Sequence, residues 1–91
     1  MSYNTVTVTT TATKIVDTTE QRRSLIISNA SSVTVYLGFD ADVTTANGLP
    51  LVPEGTFQND NSGGRMWLGP YYAIVETGTA DVRYLEYKDG K

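Results

Sequence analysis

Short segments in which apolar and polar residues alternate run through most of the chain. The clearest alternation spans 33–39, and similar patterns cover Arg22–Asn29, Tyr71–Thr77 and Ala80–Tyr87. A period of two is typical of a half-buried β-strand. No segment places apolar residues at helical spacing for three turns. The pattern therefore predicts an all-β fold, a sandwich or small barrel of seven to eight short antiparallel strands.

The alternation also predicts which side chains face the core. In the strand at 33–39, Tyr36 faces outward, and the inward set is Val33, Val35, Leu37 and Phe39. The short turn Ala30–Ser32 predicts a hairpin between this strand and Arg22–Asn29. Two prolines make Leu49–Gly55 an edge or an irregular segment, because proline donates no ladder hydrogen bond. Beyond a short strand at Thr56–Phe57, we expect a polar loop at 58–64 and a return to the core at 65–68.

The N-terminal segment has high β propensity but offers little to bury. We expect an extended arm over residues 1–13, with an edge strand as the alternative reading of the same residues. The sandwich domain then covers 14–88, and 89–91 is a polar tail. An unpaired strand invites pairing with another chain, so the arm is predicted to contact a neighbouring subunit. A solvated terminus is the alternative.

The aromatic residues are numerous for a short chain, with six tyrosines and one tryptophan. In the last strand, Val82 and Tyr84 face one way while Leu85 and Tyr87 face the other. Either both sets complete a two-sided core, or one set is an exposed contact surface, since tyrosine and tryptophan anchor many protein interfaces. A carbohydrate platform is a third reading. The candidate interface residues are Tyr3, Thr5, Val6, Thr7, Val8, Tyr36, Leu85 and Tyr87.

Composition narrows the function. The chain has 91 residues, a net charge of −3 and neither cysteine nor histidine. Dispersed cations argue against nucleic acid as a ligand, and no apolar run is long enough for a membrane span. The N-terminus lacks a secretory signal pattern. Without the usual base and the best nucleophile, we expect no enzyme and no cofactor.

Two sets of acidic and amide residues are candidates for catalysis or metal binding. Asp40 and Asp42 are two residues apart, so in a strand their carboxylates would lie on the same face and could act as a catalytic pair. They follow the end of a strand, however, where acidic residues are commonly solvent-exposed turn residues. Together with Asn59, Asp60 and Asn61 they could supply oxygens to calcium, yet the spacing matches no EF-hand loop. We expect no catalytic residues and no metal.

The chain resembles small virion proteins of tailed bacteriophages. The residues that carry the resemblance are Arg23–Asn29, Val35–Gly38, Asn47–Leu51 with Pro53–Gly55, and the late Gly78–Val82 segment. They are turn and edge residues spread over about 14–87, and none is a catalytic signature.

The resemblance implies a jelly-roll-like β-sandwich that serves as a capsid decoration, or cement, protein. Such a protein would stabilise the phage head by binding the major capsid protein as a homo-oligomer, with a trimer favoured. It would be made in the host cytoplasm and lie on the virion surface, without nucleic acid or membrane partners. The alternative is a tail, baseplate or head-fibre module that binds a host receptor or glycan.

Overall fold

The described part of the chain consists of β-strands and the loops that join them. A computed structural model describes residues 2–60 and 67–88. The strands are β1 (Ser2–Val8), β2 (Thr13–Val16), β3 (Arg22–Asn29), β4 (Val35–Gly38), β5 (Leu49–Leu51), β6 (Thr56–Asp60), β7 (Tyr71–Val75) and β8 (Ala80–Lys88). This confirms the predicted all-β fold. The predicted polar tail at 89–91 lies outside the described residues.

The strands form two four-stranded antiparallel sheets, ordered β1-β8-β3-β6 and β2-β7-β4-β5. β1 pairs with β8, β2 with β7, β3 with β6 and β4 with β5. This is the order obtained when a hairpin of four outgoing and four returning strands is wrapped into two layers, as in a jelly roll. The edge strands are β1 and β6 in one sheet and β2 and β5 in the other.

The core lies between the two sheets and draws on both. From Leu25 to the end of β3 every second side chain is buried, so Leu25 and Ile27 face inward while Ile26 faces outward. β8 alternates in the same way over its first half, with Val82 fully buried. Burial of the apolar side chains supplies the main stabilisation of the fold. The buried cluster comprises Val8, Ile15, Val16, Leu25, Ile27, Val35, Leu37, Leu51, Tyr71, Ala73, Val75, Ala80 and Val82.

The N-terminal segment is an edge strand and not a separate arm. Over Ser2–Val8 it pairs with β8 in an unbroken register, from Ser2 opposite Glu86 to Val8 opposite Ala80. Val8 is 0% exposed. The predicted boundary between an arm at 1–13 and a domain from residue 14 therefore does not hold for these residues. Val6 and Val8 find apolar neighbours in β8, which is too distant in sequence for a local pattern to reveal.

The predicted hairpin between β3 and the strand after it is wrong. β3 pairs with β6 and β8, whereas β4 belongs to the opposite sheet. The chain crosses between the sheets at 30–34, where the Asn29 carboxamide donates to the Val33 carbonyl. β4 also ends at Gly38.

Two further predictions about the segment after β4 have different outcomes. β5 is an edge strand, as its prolines predicted. Residues 58–60 were expected in a loop, but they extend β6 opposite 24–26 of β3. The rest of that predicted loop, 61–64, lies outside the described residues.

Candidate protein-binding surfaces

The outer face of the β1-β8-β3-β6 sheet brings several predicted interface residues together. Leu85 of β8 lies between Tyr3 of β1 and Ile26 of β3 in the register, and Tyr87 lies beside Ser24. Leu85 is 42% exposed and Tyr87 50% exposed, while Ile26 is half-buried. We call Ile26, Leu85 and Tyr87 the outer patch. Leu85 and Tyr87 thus belong to a surface and do not complete a second core.

Polar residues border the outer patch on the β1 side. Thr5 and Thr7 of β1 are exposed and lie opposite Arg83 and Asp81 of β8. The Arg83 Nη2 atom lies 3.1 Å from the Asp81 Oδ2 atom, so the two charges offset each other on this face. Thr5 and Thr7 are therefore accessible, as the prediction required. The Tyr3 side chain lies outside the described part of the structure.

Two of the predicted interface residues are not available to a partner. Val8 is fully buried and Val6 packs partly buried against the core. Because side chains alternate between the faces of a strand, these valines point to the opposite side of the sheet from Thr5 and Thr7. Their side chains face the core, so any contact that they make with a partner is through the β1 backbone.

Tyr36 lies on the other outer face of the molecule. In β4 it is half-buried and sits in the register between Ile74 of β7 and Pro50 of β5. A Cβ placed at Gly48 would approach the Tyr36 Cβ to 2.7 Å, so that loop packs directly against this tyrosine. The outward orientation predicted for Tyr36 is confirmed, but the residue does not belong to the outer patch.

A groove that the sequence did not reveal opens at the end of β4. It has a volume of about 500 Å³, and Leu37, Val43, Phe57 and Tyr71 are among its apolar lining residues. Phe39 and Leu49, both 54% exposed, stand at its rim. Phe39 was predicted to face inward, but the strand ends one residue earlier. Alternation therefore no longer fixes its direction, and the ring is left accessible.

Aromatic rings continue from this groove onto the surface. The ring centroids of Phe39 and Trp67 are 4.5 Å apart, and those of Phe39 and Tyr71 are 5.8 Å apart. Trp67 is 40% exposed and its Nε1 donates to the Pro70 carbonyl at 2.8 Å. The expected return to the core at 65–68 is thus wrong for Trp67, while Arg65 and Met66 lie outside the described residues. The rings form a shelf beside the groove.

Acidic and amide groups border the same groove. Asp40, Asp42 and Asn47 are exposed lining residues. The Asp40 Oδ1 atom accepts a hydrogen bond from the Asp42 backbone N–H at 2.9 Å, and the Asn47 Oδ1 atom accepts one from Thr44. These bonds shape the loop. In the described ranges, no group of three or more acidic, histidine or cysteine side chains is placed to hold a metal ion. Asn61, one of the candidate calcium ligands, lies outside those ranges.

A buried ion pair fixes the end of the sandwich near the aromatic shelf. The Arg22 Nε donates to the Glu86 Oε2 atom at 2.6 Å, and both side chains are almost fully buried. The other guanidinium nitrogens donate to the carbonyls of Trp67, Gly69 and Asp17. Arg22 therefore ties β3 and β8 to the chain just before β7. It holds the Trp67 backbone in place, while the indole ring lies against Phe39 and remains 40% exposed.

Three described titratable groups have shifted pKa values. An exposed ion pair between Lys14 and Asp17 lowers the pKa of the Asp17 carboxyl and raises that of the Lys14 amine, chiefly through their hydrogen bond. Partial burial raises the pKa of the Tyr84 phenol. None of these groups lies on the outer patch or in the groove.

Comparison with known proteins gives no relatives. No protein-family model, curated protein or solved structure matches the chain. No helix in the described ranges has the length and apolar content to span a bilayer.

Proposed function

We propose that this protein is a structural virion component, in particular a capsid decoration protein that binds the major capsid protein as a homo-oligomer. The observation that carries the proposal is the outer patch. Leu85 and Tyr87 are large apolar side chains left accessible on an ordered sheet. Tyrosine is enriched among the residues that contribute most of the binding energy of protein interfaces, and an accessible leucine beside it adds apolar area that a partner can bury. The resemblance to small phage virion proteins gives the partner its identity.

The geometry of the outer patch suits a flat protein partner better than a small ligand. Its three side chains project from adjacent strands β3 and β8 in one plane, whereas small molecules bind in concave sites. The neighbouring Arg83–Asp81 pair provides charges of both signs at its border, which is the usual arrangement of an apolar centre with a polar rim.

Binding to capsids tests the proposal directly. Heads of the encoding phage that lack this protein are incubated with increasing amounts of it and sedimented. We expect saturable binding, weakened at least tenfold in the double variant Leu85→Ser/Tyr87→Ser. Leu49→Ser is the matched control, because it removes an equally exposed apolar side chain from the groove. Failure of the unmodified protein to bind such heads would overturn the proposal, and equal loss in the control would remove the outer patch as the contact.

The groove favours a second candidate, a tail or head-fibre module that binds a glycan. Exposed aromatic rings at Phe39 and Trp67 lie beside the oxygen-bearing groups of Asp40, Asp42 and Asn47. Sugars combine apolar ring faces with hydroxyl groups, so this arrangement can contact both. A glycan array separates the two candidates: binding lost in Trp67→Ala and unaffected by Leu85→Ser/Tyr87→Ser would support the second one.

A further inference from the structure

The four edge strands of the sandwich differ in how well they are protected against pairing with another strand. β5 is three residues long and contains Pro50, β2 carries Lys14 and an irregular register, and β6 ends in Asp60. Short length, proline, charge and bulges all discourage strand addition. β1 has seven residues, pairs in an unbroken register and contains neither proline nor a charged residue. Among the described strands, it is the unprotected edge.

The backbone of β1 shows which peptide groups face away from the sheet. The Thr5 N–H donates to the Oδ1 atom of its neighbour Asn4 at 2.8 Å, so it does not serve the ladder with β8. The peptide groups of successive residues point to opposite sides of a strand, so those of every second residue point the same way. The peptide groups of Tyr3 and Thr7 therefore share the direction of Thr5 and point to the free edge.

We infer that β1 pairs with β1 of a second copy of this chain, antiparallel and with Thr5 on the two-fold axis. Thr5 then pairs with its own counterpart, and Tyr3 pairs with Thr7 of the other copy. This register makes about six backbone hydrogen bonds. The Asn4 side chain would release the Thr5 N–H to the incoming strand.

The side chains and charges beside β1 are compatible with this pairing. Thr5 meets Thr5 across the axis, and threonine pairs are favourable neighbours in antiparallel sheets. Each chain carries a net charge of −3, but the closest charges on this face, Arg83 and Asp81, form an ion pair. The two-fold arrangement joins the sheets of both copies into one of eight strands. It also sets the two outer patches on a common face.

This inference deepens the self-association part of the proposed function and rests on it. The competing arrangement is a ring in which β1 of one copy pairs with β6 of the next, as a trimer would require. A head-to-tail contact of that kind uses two different edges, whereas the two-fold contact uses one. Cross-linking can therefore tell them apart.

Single cysteine variants provide the test, because the chain has no cysteine of its own. The Cα atoms of a hydrogen-bonded antiparallel pair are about 5.5 Å apart, within the range that a disulfide bridges. With a mild oxidant, Thr5→Cys should give a disulfide-linked dimer. Gln58→Cys, exposed on the outer face of the opposite edge, should stay single. A disulfide between the two variants when mixed, without the Thr5→Cys homodimer, would overturn the two-fold pairing.

A second variant keeps the fold and blocks the edge. Thr7→Pro removes an N–H that points away from β8, and proline is tolerated at such edge positions. Light scattering over a concentration series should show self-association weakened at least tenfold relative to Thr7→Val, with a melting temperature that still indicates a folded domain. Unchanged association in Thr7→Pro would overturn the inference. If capsid binding persists while no β1 pairing is found, the inference falls and the proposed function stands.

Discussion

The two ends of β3 are held by buried polar side chains of different chemistry. At one end, the Arg22 guanidinium donates hydrogen bonds to the Glu86 carboxylate and to three backbone carbonyls. At the other end, the Asn29 carboxamide donates to the carbonyls of Val33 and Leu51 and accepts from Ser31. Both side chains are within 1% of complete burial. Each one also ties β3 to parts of the chain outside its pairing with β6 and β8.

The difference between the two ends is the presence of charge. A buried guanidinium is stable only beside a carboxylate, so the Arg22 end depends on two side chains far apart in sequence. A carboxamide is neutral and carries both a donor and an acceptor, so the single side chain of Asn29 makes all of these hydrogen bonds without a charged partner. We therefore expect the loss of either Arg22 or Glu86 to remove most of the stabilisation at the charged end. At the neutral end, we expect each lost hydrogen bond of Asn29 to lower the free energy of unfolding by a smaller amount.

The largest effect is expected from breaking the charged end. Arg22→Ala leaves the Glu86 carboxylate buried without its main partner and should lower the free energy of unfolding by about 3–5 kcal/mol. Denaturant unfolding measures the change. The double variant Arg22→Ala/Glu86→Ala removes both charges and should recover part of the loss. If the double variant is no more stable than the single one, unpaired charge is not what makes this end vulnerable.

Asn29→Ala should have a smaller effect, about 2 kcal/mol, because it leaves neutral backbone groups without partners. The matched variant Asn29→Asp keeps the acceptor for Ser31 but replaces the donor to Val33 and Leu51. It should be at least as unstable as the alanine variant at neutral pH. Equal losses for Arg22→Ala and Asn29→Ala, measured in the same denaturant series, would remove the proposed distinction between the two ends.

The turn after β5 also contributes to the neutral end, because it hydrogen-bonds to the Asn29 backbone. Glu54 has a φ of 64°, in the left-handed region, and its N–H donates to the Asn29 carbonyl. Glu54→Gly relieves the Cβ strain and should raise the free energy of unfolding by about 0.5–1 kcal/mol. Glu54→Ala keeps the Cβ and should give no gain. Equal stability of the two variants in thermal unfolding would show that the turn stores no strain.

The smallest change in stability is expected from removing the exposed ion pair between Lys14 and Asp17. Lys14 and Asp17 are 2.8 Å apart, nearly as close as Arg22 and Glu86, but both are open to solvent. Lys14→Ala should leave the melting temperature unchanged at neutral pH, since solvent screens such pairs. Any contribution depends on ionised Asp17, whose pKa is lowered. It would be present above the usual carboxyl pKa and lost as pH falls through the lowered value. A clear loss at pH 7 would contradict this.

Local pattern predicted the strands but not how they meet. The span of β3 and the inward direction of Leu25 and Ile27 follow from alternation alone. The burial of Arg22 does not, because its partner Glu86 lies 64 residues away in the chain. The pairing of β1 could not be predicted for the same reason, because its valines lie opposite residues of β8 that are distant in the sequence. The short turn after Asn29 suggested a hairpin, but the chain there crosses to the other sheet.

Of the two candidate surfaces, the outer patch could be predicted in part from the sequence and the groove could not. Leu85 and Tyr87 were placed on a common face by strand parity, and the structure leaves both accessible. The groove could not be predicted, because it is assembled from β4, β5, β6, β7 and a loop. Phe39 was assigned to the core since the alternation continues to it in the sequence, while the strand itself stops at Gly38.

The position of β8 has a consequence for synthesis on the ribosome. β8 is the last strand described along the chain, yet in its sheet it lies between β1 and β3. A nascent chain that has not yet reached Ala80 cannot place β1 against any strand of that sheet. β1 must therefore wait for β8 before it can pair in that sheet, so this contact between distant segments should form late in synthesis. Stalled-chain proteolysis would show protection of β1 only after β8 has left the exit tunnel.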